Sequence, residues 1–191
     1  MTTKKMGKLF IISGPSGSGK STILNQVLTN MPEVYFSVSA TTRQPRPGEV
    51  HGEHYHFLGQ AEFDRLAEEG GLLEYARYVG NSYGTPAQPI REKLEAGIDV
   101  LLDIEVQGAG QIKEKMPEAI AIFLSPPSLE ILEERLRKRG TDSEEKIKNR
   151  LETARKELEQ VERYDYLVVN DTIEQAVEEV KTIVKSKGGT K

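Results

Sequence analysis

Eight residues, Gly14-Pro15-Ser16-Gly17-Ser18-Gly19-Lys20-Ser21, constrain this chain more than any other stretch. They satisfy every fixed position of G-x-x-x-x-G-K-[ST], a loop that cradles phosphates. The apolar run Leu9-Phe10-Ile11-Ile12 before them predicts a strand, and residues 21–28 carry apolar side chains at helical spacing. Strand, glycine loop, helix is the context the motif needs. The glycines let successive N–H groups turn inward as an anion nest. The helix that follows adds its positive end. Lys20 supplies a mobile cation for the outer phosphates, and the Ser21 hydroxyl can sit on Mg²⁺. Residues 14–21 are therefore read as a nucleoside triphosphate site.

The chain of 191 residues fits one domain, with room for an inserted subdomain. Hydrophobic residues at 37% and charged residues at 29% suffice for a packed core under a solvated surface. A net charge of −4 gives no reason to expect a nucleic-acid partner, so anion binding must come from local Arg and Lys clusters. With no cysteine there is no disulfide and no thiolate metal site. No stretch approaches the length of apolar chain that spans a bilayer, and residues 1–8 lack a signal core. The expectation is a soluble cytoplasmic protein, monomer or homodimer, touching neither membrane nor nucleic acid.

Taken in order, residues 1–7 read as a loose tail. Strands are expected near 8–13, 35–39, 98–105, 119–124 and 166–169. Helices are expected to 30 and over 87–96, 107–115, 129–139, 144–161 and 173–185, with a disordered tail at 187–191. Alternating strands and helices predict an α/β fold, a three-layer sandwich around a central five-stranded parallel sheet. Between the second strand and the helix at 87, short strands near 55–58 and 72–79 and a helix at 61–69 predict a small mixed insertion. The organisation is one domain, with a core of 8–38 and 87–191 and an insertion of 39–86. Ligands of such sheets collect at the carboxyl ends of the strands. Gly14, Ser39, Asp103, Glu105 and Asn170 are all expected there, facing one crevice.

Asp103 ends an apolar strand, the usual partner of a phosphate loop, where a carboxylate can orient waters on Mg²⁺ beside Ser21. Arg43 and Arg46 stand three residues apart in a proline-rich loop, and two fixed guanidinium forks suit a phosphate. The string Ser39-Ala40-Thr41-Thr42-Arg43-Gln44-Pro45-Arg46-Pro47-Gly48-Glu49 resembles guanylate kinase. The likeness continues through Gly52-Glu53-His54-Tyr55-His56-Phe57, Glu74-Tyr75-Ala76 and Gly80-Asn81-Ser82-Tyr83-Gly84-Thr85. It extends to Leu102-Asp103-Ile104-Glu105-Val106-Gln107-Gly108, Arg135-Leu136-x-x-Arg139-Gly140-Thr141 and Val169-Asn170-Asp171, covering nearly the whole chain in the family's order.

The resemblance implies transfer of the γ-phosphoryl group of MgATP to GMP. It implies that Arg43, Arg46, Tyr55 and Tyr83 hold the GMP phosphate, that Glu74 and Glu105 face the guanine, and that Ser39 and Thr85 bond its O6 side. Thr85 stands where the family often has Ser, and Glu105 where it often has Asp. The chemistry agrees, because the Watson–Crick edge of guanine offers two nitrogen donors to carboxylates and one oxygen to hydroxyls. The resemblance also implies a lid over about 135–150 in which Arg135, Arg139 and Arg150 reach the ATP phosphates, and puts Asn170 near the adenine. Arg137 and Lys138 read as solvated helix charges. Asn170 could instead cap the last helix. No general base is expected, and His51, His54 and His56 read as structural. Two other readings fit parts of the pattern: a non-catalytic protein-binding module of the same fold, and a kinase for another nucleoside monophosphate.

Overall fold

The computed structural model describes residues 5–78, 80–138, 140 and 142–189. The strand before the glycine loop, β1 (Leu9–Ser13), is buried along its whole length. Its side chains alternate between two cores, as a period of two requires. Phe10 and Ile12 face one cluster, and Leu9 and Ile11 the other. Around β1 lie β2 (Tyr35–Phe36), β7 (Val100–Asp103), β8 (Ile120–Ser125) and β9 (Tyr166–Val169), in the order β2-β7-β1-β8-β9. Every pair is parallel. This is the five-stranded sheet the alternation predicts.

One face is covered by α1 (Lys20–Asn30) and α7 (Ile173–Lys187), through Ile23, Leu24, Val27, Val177 and Val180. The other is covered by α3 (Ala87–Glu95) and α4 (Val106–Lys115), through Ile90, Leu94, Ala109 and Ile112. Helices α5 (Leu129–Lys138) and α6 (Glu144–Leu158) pack on each other through a separate small cluster of Leu132, Leu136, Ile147 and Ala154.

Residues 40–86 build a second sheet, β4-β3-β6-β5, from β3 (Ala40–Thr41), β4 (His56–Phe57), β5 (Leu72–Tyr78) and β6 (Asn81–Pro86). It closes over α2 (Gln60–Glu68) with a core of Ala40, Phe63 and Leu72. The expected single strand at 35–39 is divided. Ser37 N–H still donates to Leu101 O, but the chain then leaves the first sheet and enters the second at Ala40. Strand β6 has no counterpart in the sequence reading, because Ser82, Gly84 and Pro86 interrupt any apolar alternation.

Where they are described, both tails depart from expectation, and residues 1–4 and 190–191 lie outside the described residues. Residues 5–7 and 187–189 are held in place. Gly7 N–H donates to Leu94 O at 2.8 Å, and Gly188 N–H to Val184 O at 2.7 Å. Asp99 Oδ1 accepts from both Lys8 N–H at 2.7 Å and Gly189 N–H at 2.8 Å. Sequence patterning misses this clasp because it depends on backbone proximity. A Cβ on Gly188 would lie 2.2 Å from Asp99 Oδ2 and 2.7 Å from Val184 O. Gly188→Ala is therefore expected to destabilise the fold by about 1–3 kcal/mol, read as a lower urea midpoint with an unchanged slope.

Candidate active site

At the carboxyl edge of β1 the chain must turn sharply into α1, and two glycines make the turn possible. A Cβ on Gly14 would stand 2.1 Å from Leu124 O. Gly19 has φ 91°, and a Cβ there would meet Asn170 Nδ2 at 2.3 Å. Gly19 caps α1 with no side chain, and the first turn of the helix holds no acid. The first N–H groups therefore stay open to an anion, and the helix dipole favours one.

Lys20 leans back across the loop. Its Nζ donates to Gly14 O at 3.2 Å and lies 3.5 Å from Asp103 Oδ1. Asp103 arrives there because β7 pairs beside β1, with Ile12 opposite Asp103 in register. Burial pushes the Asp103 carboxyl above its ordinary range, and Lys20 opposes that shift.

A cavity of about 330 Å³ opens on one side of the loop, lined by Gly17, Gly19, Arg135, Lys138, Asn170 and Ile173. Asn170 is 1% exposed, and its Nδ2 donates to Ser18 O at 2.6 Å. Its capping alternative is excluded, because Thr172 caps α7 with its side chain on Gln175 N–H. Arg135 Nη2 donates to Asn170 O at 3.0 Å. Asn170 Oδ1 and Arg135 Nη1 are buried yet have no hydrogen-bond partner within the protein. One acceptor and one donor thus remain for a polar ligand. Lys138, read from the sequence as a solvated charge, is exposed and borders this cavity. Arg150 reaches Ser16 Oγ at 3.4 Å and Asp142 Oδ2 at 3.3 Å. Arg137 pairs with Glu133 and Glu144 on the surface, as expected. Arg139 lies outside the described residues.

A second cavity, about 220 Å³, has Ser21 and Asp103 on one wall and Ser39, His54 and Tyr55 among its other lining residues. It joins the glycine loop to the second sheet. There Arg43 holds Glu49 through a bidentate pair at 2.8 and 2.9 Å, with its guanidinium 5.3 Å from the Tyr55 ring centre. Glu49 Oε2 also accepts from the Arg46 N–H at 2.7 Å. These two contacts, Arg43 first, hold the Glu49 carboxyl at about 2. Glu49 thus shapes the loop that carries both arginines. Sequence reasoning gave it no role, although its place three residues after Arg46 was the available signal. Tyr55 and Tyr83 lie edge to face at 6.2 Å. His51 and His54 each accept a backbone N–H at Nδ1, and burial lowers His56, consistent with structural roles.

Glu74 is 7% exposed, contrary to what strand alternation alone would give. Between Leu72 and Tyr75 the register slips, three steps along β5 against two along β6. This bulge turns Glu74 inward. Thr85 Oγ1 donates to Glu74 Oε1 at 2.6 Å. A hydroxyl has one proton, so here Thr85 orients Glu74 and has only lone pairs for a base. Burial raises the Glu74 carboxyl; the Thr85 hydroxyl and the charge of Lys115 oppose the shift, and Glu105 adds to it. Glu105 sits at the N-cap of α4.

The sequence also missed Glu157 of α6. Burial, reinforced by Glu105 and opposed by Lys20, pushes its carboxyl up to about 7. The folded state therefore holds a proton there that the unfolded chain loses near 4.5. Glu157's contribution to stability is full below that value and is lost as pH rises through about 7. A carbon-detected NMR titration should give Glu157 a midpoint near 7, moving down in Glu105→Gln.

A family model described as guanylate kinase matches residues 6–187. Among curated relatives, a guanylate kinase of Desulfitobacterium hafniense is 51% identical over 178 residues, 93% of this chain and 89% of that protein. One of Oceanobacillus iheyensis is 52% identical over 184 residues, 96% of this chain and 89% of its own. Among solved structures, the guanylate kinase of Anaplasma phagocytophilum superposes with a TM-score of 0.77 at 34% identity, covering 98% of this chain and 89% of that one.

Proposed function

The chain belongs to the guanylate kinase family, and on that premise we propose that its crevice aligns MgATP and GMP tail to tail and moves the γ-phosphoryl group between them, giving ADP and GDP. The observation that carries this reading is the cavity shared by Ser21, Asp103, Ser39 and Tyr55. Its lining runs from Ser21 and Asp103 beside the phosphate loop to Ser39 and to Tyr55, over whose ring the Arg43 guanidinium lies, so the two nucleotide sites open on one space.

ATP lies with its phosphates in residues 14–21 and its adenine in the cavity lined by Asn170. Lys20 neutralises the outer phosphates. Arg135, Arg139 and Arg150 belong to a lid over about 135–150 that encloses them. Ser21 and Asp103 offer the hard oxygen donors that suit Mg²⁺, which when bound neutralises charge on the transferring group. GMP lies against the insertion, 39–86. Arg43, Arg46, Tyr55 and Tyr83 take its phosphate. For Arg43 this means sharing its guanidinium between Glu49 and the ligand. Glu74 and Glu105 accept from the guanine nitrogens, Ser39 donates to O6, and Thr85 fixes Glu74.

The phosphate of GMP, with a second pKa of about 6, is largely dianionic near neutral pH. One of its oxygens attacks the γ-phosphorus, and the bond to the β-phosphate oxygen breaks with its electron pair leaving on ADP. No proton need be removed, so alignment and charge neutralisation supply the catalysis. Closure of the lid and insertion excludes water as a competing acceptor. Lys20 and Ser21 are intact, which favours an enzyme over a binding module of this fold. Among the described residues no helix is long and apolar enough to cross a membrane, and we infer a cytoplasmic enzyme.

Lys20→Ala is expected to lower kcat by roughly 10²–10³-fold, measured by coupled ADP release. In the same assay with GMP, AMP, CMP and UMP, the wild type should prefer GMP, and Glu74→Gln should lose most of its preference over AMP. Near-normal GMP phosphorylation by Lys20→Ala, or unchanged selectivity in Glu74→Gln, would overturn the respective assignment.

A further inference from the structure

The small sheet meets the core along β5, which lies on α4. The side chain of Leu73 packs into the large-sheet core cluster with Ala109 and Ile112 of α4. Strand β5 ends the sheet order, so among the described residues its outer edge has no strand partner. Side chains of α4 cover that edge instead. Gln111 Oε1 accepts from Tyr75 N–H at 3.2 Å, and Gln111 Nε2 donates to Tyr75 O at 3.1 Å. One carboxamide therefore presents a donor and an acceptor to the same residue, as a neighbouring strand would. Lys115 Nζ donates to Leu73 O at 2.6 Å. The two clamped residues, Leu73 and Tyr75, flank Glu74. Gly108 lies on the same helix stripe, spaced 108, 111–112, 115. A Cβ there would stand 2.6 Å from Glu74 Oε2.

We infer that Gln111 and Lys115 are positioning residues for base discrimination: they clamp the backbone on both sides of Glu74 and so fix its carboxylate where guanine is read. The inference rests on the base-reading role proposed above for Glu74. A bulge leaves one residue of a strand out of the ladder, so the β5–β6 pairing alone does not fix the backbone that aims this carboxylate. The α4 side chains supply the missing restraint on the opposite edge. Gly108 leaves space for the carboxylate to lie flat against the helix. With the clamp in place, Glu74 meets both nitrogen donors of guanine. Without it, the carboxylate swings, and the second donor is lost first. Hypoxanthine, which lacks the exocyclic amine, then becomes a better competitor.

The test compares Gln111→Met, Lys115→Met and their double variant with the wild type, using GMP, IMP, AMP and ATP as substrates. Gln111 is only half-buried, so the single variant is expected to fold, which a thermal melt checks. The double variant should raise KM for GMP roughly tenfold, the scale of losing two to three modest hydrogen bonds. KM for ATP should stay within twofold. The GMP:IMP ratio of kcat/KM should fall at least fivefold. Lys115→Arg, which keeps both the donor and the charge, should behave as the wild type. Lys115 also lowers the Glu74 carboxyl by its charge, so Gln111→Met, which leaves that charge in place, isolates the clamp and should by itself lower the GMP:IMP ratio. Gly108→Ala should reproduce the GMP-selective loss by pushing Glu74 from the other side.

An unchanged GMP:IMP ratio in the double variant, or equal losses for GMP and ATP, overturns the clamp. Glu74→Gln separates the two levels. If its GMP preference over AMP collapses while the clamp variants behave as wild type, only the clamp falls. If Glu74→Gln is itself silent, the base-reading role falls as well.

Discussion

The structure depends on β1 being hydrogen-bonded on both sides and buried on both faces. β7 and β8 flank it in parallel, and its side chains feed two cores in turn. A strand held that way has no freedom at its end, so the glycine loop leaves it at a fixed place and angle. The neighbours' ends are fixed by the same registers. Asp103 stands beside Ile12, and Ser125 beside Val169, with Asn170 next in the chain. The crevice is a consequence of sheet pairing before any side chain in it is considered.

Charge is handled locally within that crevice. The chain carries a net charge of −4 yet proposes to hold two polyanions. Lys20 is balanced by Asp103 and Arg43 by Glu49, so neither cation stands isolated. Such pairs keep a cation in a defined geometry, with the remaining donor directions free for phosphate. The carboxyls of Glu74, Asp103 and Glu157 are all raised, in each case first by burial.

Much of this was legible in the residues. The motif at 14–21 fixed strand, turn and helix, because glycine placement and the Lys-Ser pair have few other uses. The central strands β1, β7 and β8 were visible because buried parallel strands read as near-continuous apolar runs. What stayed hidden depended on pairing between distant segments. β6 reads as a turn because its strand character comes from β3 and β5. Asp99 reads as one more strand residue, although it ties residue 8 to residue 189. Glu49 and Glu157 look like ordinary surface acids until the folded chain brings Arg43 and Lys20 near them. Glu74 could be singled out only through resemblance, since a bulge is a register property that a single strand's sequence does not display.

The seam between β5 and α4 bears on how the molecule can move. Leu73 belongs to the core of the large sheet, whereas Leu72, the adjacent residue, belongs to the core of the small one. The small sheet is thus fastened along one edge, and its strands run outward from there to β4. Any swing of that sheet turns about the fastened edge, like a door about its jamb. Glu74, near the axis, scarcely travels, while the arginine-bearing loop between β3 and β4 sweeps the widest arc. Under the assignments proposed for Glu74 and Arg43, a nucleotide entering the crevice would find its base seat already set and its phosphate gathered in last.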